Sequence, residues 1–270
     1  MIKLAIMQGR LSPPEDNRIQ CFPRTSWREE FPKAVEAAVP AIEWIDDTYG
    51  ADVTPFRTKE GIREMLTLMH LHGVTIPSIC ADTFMEQPFV RCTDAQRTER
   101  LELLKFLLQQ AALVGAHHVG IPLLDNAALK NPEEIKTAAT ALRSVIPTLE
   151  KLTLELHLET SLSPSEFPIL LAELPDPYFR VTYDTGNSAS LGYDPHKEFA
   201  AYGNRVGSVH IKDRKRGGGT VPLGTGDTDF EAVREELQKI GFDGLYTLQA
   251  ARGETGKEVE TVKGYGGWVE

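Results

Sequence analysis

Four polar residues follow or end four successive strand-like segments in the C-terminal half of the chain. Glu159 comes after LTLELHL, Asp184 after FRVTY, His210 lies in VGSVHI, and Gln249 follows GLYTL. They are separated by 25, 26 and 39 positions, which is close to the length of one strand plus one helix. Two carboxylates, an imidazole and an amide oxygen are suitable ligands for a divalent cation. The pattern therefore predicts a metal site, provided that the fold brings these four residues together.

The segments that must position these residues alternate between strand and helix patterns. Strands are predicted at 3–7, 41–45, 74–80, 117–121, 153–158, 179–183, 206–211 and 244–248. Helices are predicted near 27–38 and over 59–72, 94–114, 131–149, from 163 onward, within 194–203 and over 230–240. Such alternation predicts a parallel sheet, and eight β-α units in about 250 residues is the count of a closed (β/α)8 barrel. In such a barrel the strand C-termini converge at one mouth, where the chemistry takes place.

The rest of the chain offers no sign of a second domain. No change in composition marks a linker, so we expect a single α/β domain over residues 1–270. Gly217, Gly218 and Gly219 fall between the seventh strand and the following helix, on the predicted active face. The glycine-rich segment at 253–270 is compatible with either a last helix or a lid.

Composition and charge disfavour several classes of protein. The 270 residues carry a formal charge of −10, which disfavours nucleic-acid binding and attachment to an anionic membrane. No apolar run is long enough for a spanning helix, and MIKLAIMQGR lacks the pattern of a signal peptide. Cys21, Cys80 and Cys92 are odd in number and widely spaced, as expected of reduced thiols. We therefore expect a cytoplasmic protein.

Longer motifs resemble a known family. They are IMQGRLSP at 6–13, VTYDTGNSASLGYDP at 181–195, SVHIKDR at 208–214 and PLGTGDTDF at 222–230. They are similar to the xylose-isomerase-like TIM barrel superfamily, most of all to its sugar-phosphate isomerase and epimerase branch, which includes ketose 3-epimerases and L-ribulose-5-phosphate 3-epimerases. The resemblance covers nearly the whole chain and is strongest from residue 153 onward.

The resemblance implies a ligand set. In that family one Mn, Mg, Co or Zn ion is held by Glu, Asp, His and Glu on four successive strands. Glu159, Asp184 and His210 match the first three ligands by position, and Gln249 stands where the second Glu belongs. Five residues are implied or suggested as substrate contacts: Arg216, Asn187, Lys212, Gln8 and Arg10. The basic run around Lys212, together with the glycine cluster, is suited to a substrate phosphate.

The implied reaction is proton transfer beside a ketose carbonyl through a metal-stabilised enediolate, with Glu159 as acid and base. Gln249 can ligate through its oxygen but cannot titrate. Three outcomes stay open at this point. Glu159 alone could run an isomerisation, a second base among Asp213, Asp82 and Glu43 could permit epimerisation, or the reaction could be lost.

Other functions of the same fold are alternatives. They are a catalytically impaired carbohydrate-binding homologue and a dehydratase of the superfamily. Three-metal endonucleases of apurinic sites need more histidines at strand ends, whereas His117 and His118 begin the fourth strand, at the opposite rim. The implied partner is a small sugar or sugar phosphate, with neither nucleic acid nor membrane. A homo-oligomer is left open, because relatives are often dimers or tetramers.

Overall fold

The computed structural model describes residues 3–266, and the bounds below refer to that range. Its strands are β1 (Lys3–Met7), β2 (Ala41–Ile45), β3 (Thr75–Cys80), β4 (His118–Leu123), β5 (Glu155–Thr160), β6 (Phe179–Asp184), β7 (Val206–Ile211), β8 (Asp213–Arg214), β9 (Thr220–Val221) and β10 (Leu245–Leu248). Its helices are α1 (Glu30–Glu36), α2 (Lys59–His72), α3 (Thr83–Glu86), α4 (Asp94–Val114), α5 (Pro132–Arg143), α6 (Ile146–Leu152), α7 (Phe167–Ala172), α8 (Thr185–Leu191), α9 (Pro195–Tyr202), α10 (Phe230–Lys239) and α11 (Glu258–Gly266).

Eight of the strands close into a parallel barrel in the order β1-β10-β7-β6-β5-β4-β3-β2. The strands β8 and β9 form a separate antiparallel hairpin between β7 and α10. The prediction of a single-domain (β/α)8 barrel is thereby confirmed. None of the helices in residues 3–266 is long and apolar enough to cross a membrane.

Local sequence signals account for several helix boundaries. Thr93 and Gln96 form a reciprocal capping box at the start of α4, and Gly115 ends that helix in the left-handed conformation with φ 80°. Asn131 caps α5 through its side chain, with Pro132 in the first turn. These caps fix where each helix starts and stops, and hence where the adjoining strand begins.

Two of the predicted helices need correction. The helix predicted over 131–149 is interrupted, because Pro147 lies in the first turn of α6, where it removes a backbone donor and crowds the preceding turn. The helix predicted near 27–38 is shorter, since Ala38 takes a positive φ of 60° and turns the chain toward β2. The sequence patterns predict neither α3, which follows β3, nor α8, which follows β6 directly. For the segment 253–270 the sequence allows either a helix or a lid, and the structure shows the helix α11 there. Residues 267–270 lie outside the described range.

Period-two alternation along β5 explains how the barrel presents polar side chains. Leu156 and Leu158 are fully buried, and the residues between and after them, His157 and Glu159, project from the other face of the strand. His157 hydrogen-bonds Ser208 of β7 at 2.8 Å, which places this face inside the barrel. The strand therefore delivers Glu159 to the inner side of the C-terminal mouth.

Candidate metal centre

The structure brings three of the predicted ligands together. One ligand atom each of Glu159, Asp184 and His210 lies within 4.8 Å of the other two. The three residues come from the C-terminal parts of β5, β6 and β7 and are 7%, 5% and 3% exposed. Ligands that share one cation at roughly 2.0–2.6 Å each stand at such separations from one another.

One ring nitrogen of His210 faces this cluster and could ligate a metal ion. Its Nε2 lies 3.0 Å from Glu43 Oε1, whereas its buried Nδ1 has no hydrogen-bond partner within the described part of the chain. That Nδ1 lies 3.5 Å from Glu159 Oε2. Buried polar atoms are rarely left without a partner. An imidazole nitrogen beside two carboxylates is a donor set that fits a divalent transition-metal ion.

Glu43 holds His210 from inside the barrel. It is 2% exposed, and its Oε2 accepts hydrogen bonds from Ser78 Oγ at 2.9 Å and from Thr247 Oγ1 at 2.6 Å. Burial alone would raise the pKa of Glu43 and lower that of His210. The attraction between the two groups prevails, lowering the pKa of Glu43 to about 2 and raising that of His210 to about 9. Glu43 thus orients the imidazole and is not on the cavity wall.

Asp184 and Glu159 are both held by Asn187, near the start of α8. Asp184 caps that helix, with Oδ1 accepting from the Asn187 backbone N–H at 2.8 Å. Glu159 Oε1 accepts from Asn187 Nδ2 at 2.5 Å. Burial and the charge of Asp184 raise the pKa of Glu159 to about 7. Burial also opposes ionisation of Asp184, but the positive charges of Lys212 and His210 lower its pKa overall.

Gln249 lies at the edge of this cluster. It directly follows β10, and its backbone N–H donates to Ile211 O at 3.0 Å, which extends the strand pairing by one step. Its side chain is buried, with Oε1 accepting from Lys212 Nζ at 2.9 Å. The same ammonium group is 3.1 Å from Asp184 Oδ2. The side-chain oxygens of Gln249 and Asp184 therefore both contact the Lys212 ammonium group.

A cavity of about 490 Å³ opens beside the cluster at the C-terminal mouth. It contains three of the five predicted substrate residues, Arg10, Asn187 and Lys212. The other two lie elsewhere in the structure. Gln8 is 1% exposed inside the barrel, where its Oε1 accepts from the Ile45 N–H, and Arg216 is exposed in the turn of the β8–β9 hairpin.

Two further cavity residues contact predicted site residues, although the sequence does not single them out. Arg214, two positions before Arg216, lines the cavity and donates to Asn187 Oδ1 at 2.7 Å. Gln20 also lines it, from the loop after β1. Arg214 belongs to the basic run singled out above, but nothing in the run indicates which of its members faces inward. The segment around Gln20 gives no local signal.

The glycine cluster is engaged in its own loop. Gly217 N–H donates to Ser190 O at 2.8 Å, and Gly218 N–H donates to Lys215 O at 2.7 Å. These two N–H groups are therefore already used and are not free to bind a substrate phosphate.

Among the three carboxylates considered as a second base, one lines the cavity. Asp213 accepts from the N–H groups of Gly224, Gly226 and Thr228 at 2.9, 2.8 and 3.2 Å, so it holds the loop before α10. Glu43 contacts His210 and does not line the cavity. Asp82 lies on the cavity wall, and burial raises its pKa to about 6.

A larger cavity, of about 660 Å³, lies at the opposite rim, among the N-terminal ends of the strands. His117, His118 and His157 line it, and the rings of His118 and His157 stack at 3.8 Å. Burial lowers the pKa of both stacked imidazoles, which favours their neutral forms. The three-ligand cluster, however, lies at the C-terminal mouth, where barrel enzymes hold their chemistry. The candidate site is therefore assigned to the smaller cavity, because that cavity lies beside the three-residue cluster.

The fold and the cluster define a class of protein: a closed α/β barrel with a carboxylate–imidazole centre at its C-terminal mouth. The chain belongs to the xylose isomerase-like TIM barrel family, whose model matches residues 31–264. The family resemblance drawn from the sequence motifs is thereby confirmed.

Curated proteins and solved structures are similar to this chain. The L-ribulose-5-phosphate 3-epimerase UlaE of Shigella flexneri serotype 5b is 28% identical over 184 residues, and the match covers 66% of this chain and 65% of that protein. The match thus spans a little under two thirds of the relative's length. Among solved structures, the 3-keto-D-glucoside 4-epimerase YcjR of E. coli has a TM-score of 0.74 at 16% identity, over 100% of this chain and 99% of that one. The IOLI protein with a bound zinc atom has a TM-score of 0.78 at 16% identity, over 99% and 98%. At such identities the two structures show the shared fold alone.

Proposed function

We propose that this protein is a divalent-metal-dependent isomerase or epimerase of a small sugar or sugar phosphate. The observation that carries this proposal is the cluster of Glu159, Asp184 and His210 beside a cavity of about 490 Å³. The similarity to an L-ribulose-5-phosphate 3-epimerase supports the same chemistry.

A Mn, Mg, Co or Zn ion would be held by Glu159, Asp184, His210 and the amide oxygen of Gln249. When bound, such an ion polarises a ketose carbonyl and stabilises the negative charge that develops on proton loss. With Gln249 in place of a carboxylate, the two ionised acids would balance a dication. The metal and its ligands would then be neutral together rather than negative. This charge should make the metal a stronger Lewis acid and bind it less tightly.

Glu159 is the proposed acid–base residue. General acid–base chemistry needs a carboxylate within reach of the substrate, and Glu159 lines the cavity at the C-terminal mouth. Asn187 binds Oε1 of this carboxylate, and Arg214 binds Asn187 in turn. The pair therefore fixes the direction in which Glu159 meets the carbon next to the carbonyl.

The charges on the cavity wall support a phosphorylated substrate. Arg10, Lys212 and Arg214 are part of that wall. Arg214 is 27 positions from its partner Asn187, and it also binds the Gly218 carbonyl, so its guanidinium is held in place. A fixed guanidinium is well suited to a phosphate group.

The test is proton exchange at the carbon next to the carbonyl. Mn²⁺-loaded protein would be incubated with L-ribulose 5-phosphate or with L-ribulose in D₂O, and the sugar would be examined by NMR and mass spectrometry. We expect deuterium to enter the phosphorylated ketose, and Glu159→Gln to abolish this exchange. A metal-loaded protein that exchanges neither sugar would contradict the proposal.

Gln249 favours one other candidate, a carbohydrate-binding protein without the reaction. An amide cannot replace a second acid–base carboxylate, so epimerisation needs another group. This candidate predicts saturable binding of the sugar, measured by calorimetry, with no deuterium incorporation in the same samples.

A further inference from the structure

Four polar side chains form a hydrogen-bonded relay along the cavity wall. Lys212 Nζ donates to Gln249 Oε1 at 2.9 Å, and Gln249 Nε2 donates to Gln20 Oε1 at 2.8 Å. Gln20 Nε2 then donates to Asp82 Oδ2 at 2.8 Å. All four residues line the cavity at the C-terminal mouth. The relay joins β7, β10, the loop after β1 and the end of β3.

The two ends of the relay set its direction. An ammonium group can only donate hydrogen bonds, and an ionised carboxylate can only accept them. Turning the Gln249 amide over would place its NH₂ group against Lys212 and its oxygen against the Gln20 oxygen. Two further bonds support the same direction: Arg10 Nη2 donates to Gln20 Oε1 at 3.3 Å, and Cys80 Sγ donates to Asp82 Oδ1 at 3.1 Å.

We infer that Asp82 and Gln20 are positioning residues that keep the carbonyl oxygen of Gln249 on the side of Asp184, where Lys212 Nζ contacts both oxygens and where the proposed metal would bind. This inference rests on the proposed metal-dependent function. A carboxylate at position 249 would present an oxygen in either orientation, whereas an amide presents one ligating oxygen and one NH₂ group. The substitution that distinguishes this chain from the family pattern therefore creates a need for an orienting partner. Lys212 binds the oxygen of the Gln249 amide, and Asp82, acting through Gln20, binds its NH₂ group from the other side.

The experiment measures Mn²⁺ affinity by isothermal titration calorimetry with the metal alone. We expect Asp82→Ala and Gln20→Ala each to weaken binding by about 10-fold, as loss of an outer partner of a metal ligand does. Asp82→Asn should keep most of the affinity, because its amide oxygen can still accept from Gln20. The matched control is Asp125→Asn, which removes an acidic charge from the same cavity without touching the relay.

The decisive measurement repeats these variants in a Gln249→Glu background. A carboxylate needs no orienting partner, so Asp82→Ala and Gln20→Ala should lose their effect on Mn²⁺ affinity there. A general loss of charge or of folding would weaken binding equally in both backgrounds. Gln20→Ala is expected to fold normally, because the Gln20 side chain is only part-buried, in a loop outside the barrel core.

Two results would overturn the inference. One is unchanged Mn²⁺ affinity in Asp82→Ala and Gln20→Ala, and the other is an equal loss with and without Gln249→Glu. Either of these would leave the proposed enzyme function intact, provided that the unmodified protein binds Mn²⁺. An unmodified protein that binds no Mn²⁺ would instead remove the metal site itself, and both proposals with it.

Discussion

Glu43 Oε1 lies 3.0 Å from His210 Nε2, although 167 positions separate the two residues along the chain. The two side chains are 2% and 3% exposed, so the contact is shielded from water. It leaves Nδ1 as the imidazole atom that faces Glu159 and Asp184. A carboxylate behind a metal-binding histidine fixes its ring and raises its basicity as a ligand.

Glu43→Gln is therefore expected to weaken divalent-metal binding by about 10-fold, because the side chain keeps its shape and loses its charge. The measurement is calorimetric titration with Mn²⁺, and NMR should show a lower pKa for the His210 imidazole. Glu64→Gln, at an exposed ion pair with Arg28, is the matched control. Equal affinities in the two variants would mean that Glu43 has no such role.

Removing a ligand should have a larger effect. His210→Ala and Asp184→Asn are each expected to weaken Mn²⁺ binding by more than the roughly 10–100-fold typical of an outer partner. Asparagine can still cap α8, so the second variant should fold normally. Elemental analysis of the purified proteins gives an independent readout of bound metal.

The controls for these ligand variants are His196→Ala and Asp52→Asn, at side chains that are 52% and 68% exposed. They remove the same chemical groups from exposed ion pairs that do not line the cavity, and they should leave affinity unchanged. Retention of metal by both ligand variants would contradict the proposed centre.

Metal affinity should rise with pH. Without metal, the pKa of Glu159 is about 7 and that of His210 about 9, whereas the pKa of Asp184 is lowered. A metal must displace the protons held by the first two groups, and below pH 7 both hold one. Binding should therefore tighten between about pH 6 and pH 9, with protons released, and proton release should diminish toward pH 9.

Calorimetry in buffers of different ionisation enthalpy counts the protons released on binding. A pH-independent affinity over this range, or proton uptake, would show that neither group competes with the metal. His210→Ala should abolish the part of the pH dependence above pH 8.

Substitutions of Arg214 and Arg216 should have different effects on KM. Arg214→Ala should raise KM for a phosphorylated substrate by about 10-fold or more, because a charged hydrogen bond contributes roughly 1.5–3 kcal/mol. Arg216→Ala should change KM little, since that side chain is exposed in the hairpin turn. Steady-state kinetics of both variants provides the test, and a larger loss for Arg216→Ala would assign the contact to the residue expected from the family motif.

Much of the architecture could be predicted because it depends on local patterns. Strand-like and helix-like periodicities alternate clearly enough to predict eight β-α units, and caps such as Asn131 mark the helix starts. Glu159, Asp184, His210 and Gln249 stood out because each ends or follows a predicted strand. In a closed parallel barrel that position is sufficient to predict a shared rim. The interruption at Pro147 was equally local and could have been anticipated.

The direction of each side chain was decided by the tertiary structure. Whether Arg214 or Arg216 enters the cavity depends on the short β8–β9 hairpin, and Gln20 reaches Gln249 across 229 positions. Contacts of that kind arise when distant loops pack over a closed barrel, and no periodicity in the chain encodes them. The sequence by itself thus determined the barrel and the rim where the candidate ligands gather. The closed fold alone decided which neighbours hold those candidate ligands, since a hydrogen bond depends on distance and angle in space.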